Sequence, residues 1–255
     1  QIQLVRGGRR VTAAERRTRR VVNPATGEAI AELPVATEED IRGAAALAGK
    51  AFEHWRGTST HHRQNVMRGA AALIRARREE IARTITLEQG KPLAESRIEV
   101  DVSAETLEWF ADEGRRAYGR IIPSRIAGNR QVVEIEPVGP VAAFAPWNFP
   151  LVNSIRKIAP ALAAGCSIVV KPAEETPGAT LLAVDCLLEA GLPEGVVNVL
   201  YGEPALISET LIKSPEIRKI SFTGSVPVGQ SLAAMAAANG KRATMELGGH
   251  APVII

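Results

Sequence analysis

Cysteine is nearly absent from this chain, with Cys166 and Cys186 the only two among 255 residues. That scarcity, with no apolar leader segment, argues against a disulfide framework and suggests a reducing compartment, the cytoplasm. Cys166 opens an apolar strand and Cys186 falls on the apolar stripe of a helix, so both read as buried packing rather than as nucleophiles. Aromatic residues make up only 4%, and no basic stripe interleaves with them, which excludes a nucleic-acid footprint. Long apolar runs are also missing. The longest candidate, 158–170, is interrupted by Pro160 and Gly165, well short of the ~18–20 residues a membrane span needs. His54, His61, His62 and His250 have no companions at metal-ligand spacing, so no metal is implied. The GxGxxG dinucleotide fingerprint is absent too.

What is present is an ordinary globular composition, 45% hydrophobic and 23% charged, long enough for one large or two small domains. The net charge of +3 is unevenly placed. Seven arginines in the first twenty residues face Glu15 alone, which leaves the remaining chain slightly acidic. Such a start reads either as an Arg-rich targeting remnant or as an exposed hairpin whose strands, 3–5 and 20–22, flank Gly7-Gly8. The two glycines favour the hairpin, because they weaken a targeting helix.

The first half of the chain is helical in pattern. Asn23-Pro-Ala-Thr-Gly27 is a turn, and 29–35 suits an edge strand ending near Pro34. Thr37 followed by Glu38, Glu39 and Asp40 is an N-cap with an acidic first turn. Ile41, Ala44, Ala45, Ala48, Phe52 and Trp55 then recur at helical spacing. A second helix is expected from about Arg63 to Leu87, stopped by Gly90-Lys-Pro92. A third follows on the stripe Val100, Ala104, Leu107, Ala111, Gly114 and Tyr118. Residues 131–136 alternate like a solvent-facing strand, which makes 121–137 an arm that leaves the domain and returns at Pro137.

From Val138 the rhythm becomes strand, helix, strand. Strands are expected at 141–145, 167–170, 196–199, 219–222 and 243–246, with helices at 153–164, 177–190, 204–213 and 227–238. This alternation predicts an α/β fold, a doubly wound parallel sheet with right-handed crossovers. Ligands of such sheets sit beyond the carboxyl ends of the strands. Trp147, Asn148, Lys171 and Glu174 fall there.

Three stretches carry residue types suited to chemistry. Ser221-Phe-Thr-Gly-Ser225 leads into Pro227 and Gly229, a strand, a glycine turn and a helix start able to hold a pyrophosphate; a plain capped turn has the same pattern. Lys171 and Glu174 can hold ribose hydroxyls, with the acid repelling a 2′-phosphate, or can simply be solvated at a helix start. Glu246 before Leu247-Gly-Gly249 is either a general base beside a closely approaching ligand or an ordinary strand terminus.

Six motifs in order, Asn23-Pro-Ala-Thr-Gly27, Glu88-Gln-Gly-Lys-Pro92, Pro146-Trp-Asn-Phe-Pro150, Lys171-Pro-Ala-Glu174, Phe222-Thr-Gly-Ser225 and Glu246-Leu-Gly-Gly249, resemble the aldehyde dehydrogenase superfamily from about Val21 onward. Glu108-Trp-Phe-Ala-Asp-Glu-Gly114 and the stretch from Thr244 to Pro252 look most similar to its semialdehyde dehydrogenases, the α-ketoglutaric and then the succinic enzymes. The resemblance implies a Rossmann-like NAD-binding domain, discontinuous over 1–120 and 138–249, with 121–137 as the first part of an oligomerisation arm. Residues 250–255 would begin a catalytic domain that this sequence lacks. It further implies a homodimer or homotetramer acting on a small-molecule aldehyde, a dicarboxylic semialdehyde, with NAD preferred to NADP.

Residue by residue, the resemblance makes Asn148 the oxyanion-hole donor and Glu246 the base that activates the hydrolytic water. It makes Trp147, Lys171, Glu174, Gly202, Gly224, Ser225, Gly229 and Leu247 cofactor residues. Phe149 and Arg156 become substrate residues, with Arg156 gripping a distal carboxylate through its planar fork; a solvated helix-surface charge is the alternative. The family's attacking thiolate has no counterpart, since neither Cys166 nor Cys186 matches its position. A fragment of an NAD(P)-dependent dehydrogenase is therefore expected, inactive by itself. The rival is a non-catalytic NAD-binding or assembly module, or an aldehyde dehydrogenase of another substrate class.

Overall fold

Five short runs of small and β-branched residues form the centre of the molecule: β7 (Val141–Phe144), β8 (Ile168–Lys171), β9 (Val197–Val199), β10 (Lys219–Gly224) and β11 (Arg242–Leu247). Every residue of β7, β8 and β9 is buried, as expected where helices cover both faces of a parallel sheet. The computed structural model describes residues 4–6, 9–12 and 16–254. The five strands are mutually parallel in the order β11-β10-β7-β8-β9. The helices between them are α5 (Pro150–Ala164), α6 (Gly178–Glu189), α7 (Pro204–Lys213) and α8 (Val226–Ala238). α5 and α6 carry the chain outward from β7 to β9. α7 then returns it across β7 to β10. Strand order thus reverses between β7 and β10, and a crevice opens at the carboxyl ends of strands at such a point.

The amino-terminal half supplies β1 (Leu4–Arg6), β2 (Arg9–Val11), β3 (Thr18–Val22), β4 (Ala29–Pro34) and four helices, α1 (Glu38–Arg56), α2 (Thr60–Ala76), α3 (Arg78–Gln89) and α4 (Leu93–Glu113). α1 packs with α7 on one side of the sheet, while α2, α3 and α4 pack over α5 and α6 on the other. α1 starts in a full capping box: Thr37 accepts from the Asp40 N–H, and the Asp40 carboxylate accepts from the Thr37 N–H. Burial opposes ionisation of Asp40, but Arg16 and Thr37 outweigh it and bring its pKa down to about 2.

Several expectations are corrected. β1 pairs antiparallel with β2 and with β9, so the first hairpin does not use 20–22, which pairs with β4; Gln3 and Gly7-Gly8 lie outside the described residues. The helix expected over 63–87 is two helices, broken where Arg77 leaves helical geometry at φ −96° and ψ 18°. α3 ends at Gly90, whose φ of +88° only glycine adopts without strain. Tyr118 stands past the end of α4 and is 72% exposed, so the apolar stripe stops at Ala111. In the 121–137 segment, β5 (Arg120–Pro123) pairs with β6 (Arg130–Val133), and residues 134–136 have no strand partner.

Candidate active site

Two cavities meet along β10, and Thr223 lines both. The first, about 680 Å³, lies at the reversal point, between the ends of β7 and β10 and the starts of α7 and α8. Lys171, Gly224 and Ser225 line it, with Pro204, Leu232 and Met235 as apolar wall. α8 begins at the floor of this groove with no side-chain cap on Ser225. Its first free N–H groups and positive dipole end therefore point at whatever fills the groove, an arrangement that suits a pyrophosphate. The apolar wall beside it suits an adenine. These residues fit a dinucleotide.

The other proposed cofactor residues, Trp147, Glu174, Gly202, Gly229 and Leu247, do not line the groove. Glu174, 5% exposed, pairs with Lys171 at 2.6 Å and accepts from the Gly202 N–H at 3.1 Å. Gly229 is turned away: a Cβ there would stand 2.2 Å from the Leu247 side chain, so this glycine lets α8 lie close on β11. Trp147 is 54% exposed beside the β7 end.

The second cavity, about 630 Å³, is lined by Glu246, Arg156, Asn153, Lys157, Trp109 and Phe110 among others. Arg156 is exposed into it and has no ion-pair partner among the described residues. Asn148 joins through its neighbour, since Asn153 Nδ2 donates to Asn148 Oδ1 at 3.2 Å. That bond orients the amide and leaves the Asn148 Nδ2 hydrogens for another acceptor. Phe149 is half exposed, with the Lys91 ammonium 3.8 Å from its ring centre.

Three residues that the sequence reading passed over emerge here. Lys157 is 7% exposed and donates to Thr223 Oγ1 at 2.8 Å and Ser221 Oγ at 3.3 Å. Burial lowers its pKa to about 8, although the Glu246 carboxylate works in the opposite direction. Lys91 and Glu99 form a buried ion pair of 2.7 Å beneath Asn148. A lysine within the apolar turn of an otherwise buried helix was the available signal for Lys157. Nothing local marks Glu99, whose partners come from residues 91 and 151–152.

Both cysteines lie in the core, away from either cavity. Burial raises the Cys166 thiol and pushes Cys186 up to about 11, so neither is a ready thiolate. Among the described residues no cluster could hold a metal ion, and no helix is long and apolar enough to cross a membrane.

The sequence profile of the aldehyde dehydrogenase family matches residues 11–255. The chain belongs to that family. Similar proteins include a 4-(hydroxymethyl)benzenesulfonate dehydrogenase of Comamonas testosteroni, 54% identical over 92% of this chain and 49% of that protein. The mitochondrial succinate-semialdehyde dehydrogenase of Arabidopsis thaliana is 44% identical over 98% of this chain and 47% of its own. A solved succinate-semialdehyde dehydrogenase from Burkholderia pseudomallei superposes with a TM-score of 0.96 at 41% identity, covering all of this chain and 53% of that one. The chain spans about half the length of the curated relatives it matches. Aldehyde dehydrogenases use NAD(P), and the groove at the start of α8 is where this chain's residues fit it.

Proposed function

We propose that this chain is the cofactor-binding half of an enzyme that oxidises an aldehyde carrying a distal anionic group to the carboxylic acid. The observation that carries the reading is the second cavity: Glu246, Arg156 (without an ion-pair partner among the described residues) and, through Asn153, Asn148 share it, and Thr223 joins it to the proposed dinucleotide groove. In this reading Asn148 donates its amide to the oxygen that becomes negative when a thiolate adds to the aldehyde, a charge present only in the tetrahedral state. The thiolate comes from polypeptide other than these 255 residues, because both cysteines here are buried away from the site. Bound NAD supplies the hydride acceptor. Glu246 then takes a proton from the water that hydrolyses the thioester.

Arg156 supplies the substrate class. A guanidinium at the cavity wall with no carboxylate partner among the described residues can hold a carboxylate or a sulfonate through two parallel hydrogen bonds. Related dehydrogenases of succinate semialdehyde, glutarate semialdehyde and 3-sulfolactaldehyde fit that shared chemistry. A dicarboxylic semialdehyde is our first reading. The second is a sulfonated aromatic aldehyde, favoured by Trp109 and Phe110 on the same wall and by the benzenesulfonate relative. In the intact enzyme, Arg156→Ala should raise KM for succinic semialdehyde by about 10–100-fold, the worth of a bidentate charged contact, and leave that for an uncharged aldehyde of equal length within about twofold. Equal effects on both aldehydes would remove the anion role. Higher kcat/KM for 4-formylbenzenesulfonate than for succinic semialdehyde would select the aromatic reading. No turnover of any aldehyde by the intact protein would leave a non-catalytic NAD-binding module. The free thiols suit a reducing cytoplasm, and the exposed 121–137 hairpin suits a homodimer or homotetramer.

A further inference from the structure

We propose that Lys91 and Glu99 are positioning residues for Asn148, acting as a buried clamp on the turn between β7 and α5. The proposal rests on the reading of Asn148 as the oxyanion donor. α5 opens with Phe149 as its N-cap and Pro150 at its first position, and no side chain of the turn accepts from the helix start. The N–H groups of Leu151 and Val152 are buried and need an acceptor. Glu99, on the separate helix α4, supplies it: Oε1 accepts from Leu151 at 2.9 Å and from Val152 at 3.2 Å. Its other oxygen accepts from Lys91 Nζ at 2.7 Å.

Lys91 completes the clamp. The same ammonium donates to the Asn148 carbonyl oxygen at 3.0 Å and stands 3.8 Å from the Phe149 ring centre. Three chain segments, at 91, 99 and 148–152, are thus tied together at the one residue whose side chain must meet the reacting oxygen. The Glu99 side chain is 0% exposed and that of Lys91 8%. An ion pair so buried gains little stability over apolar packing of equal volume, because both charges lose their water. What it adds is direction. A planar carboxylate taking three hydrogen bonds and an ammonium fixing a carbonyl leave the Asn148 backbone one position. Asn153 then sets the amide plane through the 3.2 Å bond to Oδ1.

The test is a double-mutant cycle in the intact enzyme, read by kcat at saturating NAD and aldehyde, by NAD affinity and by hydrogen exchange. Lys91→Met with Glu99→Gln removes both charges together, so neither is stranded. This pair should lower kcat by about 10–100-fold, the scale of a misplacement near 1 Å, with Kd for NAD within about twofold. Amide exchange at residues 148–152 should quicken. Asn148→Ala should cost about 10²–10³ in kcat, and adding the clamp substitutions to it should cost less than about threefold more. Factors that multiply in the Asn148→Ala background, or NAD affinity that falls in step with kcat, overturn the clamp and make it part of general folding. If Asn148→Ala alone keeps near-normal kcat, the oxyanion reading fails first and takes the clamp with it. Should the paired variant not fold, Lys91→Arg keeps the charge but cannot place one nitrogen between Glu99 and the Asn148 carbonyl. It should bind NAD normally and lose about tenfold or more in kcat; normal kcat in that variant likewise overturns the proposal.

Discussion

Lys157 sits where burial and function pull against each other. Its ammonium is covered by the β10 strand, satisfied by two hydroxyls and kept from full neutrality by Glu246. With a folded pKa of about 8 against the ordinary 10.5, the unfolded chain binds this proton more tightly than the folded one. Its cost to stability is therefore full below pH 8 and disappears as the pH climbs toward 10.5. Relative to Lys157→Met, the wild-type protein should gain stability between pH 8 and 10, by at most about 1.4 kcal/mol per pH unit. Urea midpoints measured for both proteins across that range check it; parallel curves would mean that the lysine keeps its ordinary proton affinity.

At the scale of elements, β10 and β11 set how open the site is. Among the described residues β11 is an edge strand with β10 as its one neighbour, and α8 covers it through the close approach at Gly229. The Leu247 side chain occupies the place a Cβ would take. Gly229→Val should force Leu247 out of its seat, lift the start of α8 and cost about 1–3 kcal/mol by overpacking. Because that helix start forms the floor of the groove proposed for the dinucleotide, NAD affinity should fall along with the melting temperature. A melting temperature within a degree of wild type would show that α8 yields freely and that the groove is not held by this contact. The β5–β6 hairpin lacks any comparable partner among the described residues: Ile121 and Val132 are 71% and 62% exposed.

For the molecule as a whole, the proposed preference for NAD over NADP rests on Glu174. Its carboxylate is fixed by Lys171 and the Gly202 N–H, behind the groove that Lys171 lines. In the proposed reading, a negative charge held there repels a 2′-phosphate. NAD should bind more tightly than NADP by about tenfold or more, the order of one charge contact, and Glu174→Ala should narrow the gap. Calorimetric titration with both dinucleotides decides it; superimposable curves for NAD and NADP would remove Glu174 from the choice.

The sequence by itself determined the alternating strands and helices from 141 to 247, because buried parallel strands must be written in small and β-branched residues, and helix starts and stops in prolines, glycines and caps. Motif residues such as Lys171, Ser225 and Glu246 were legible for the same local reason: each stands at, or one residue past, the carboxyl end of a strand that announces itself. Only the tertiary structure decided what β1 pairs with, since an isolated three-residue strand has no pattern strong enough to name its neighbour. Nor does any local pattern show Glu99, an acid in the middle of a helix, serving as the cap of another helix fifty residues away. Such a role comes from an unfilled N–H at one place and a buried charge at another, and the two meet only once the layers have packed.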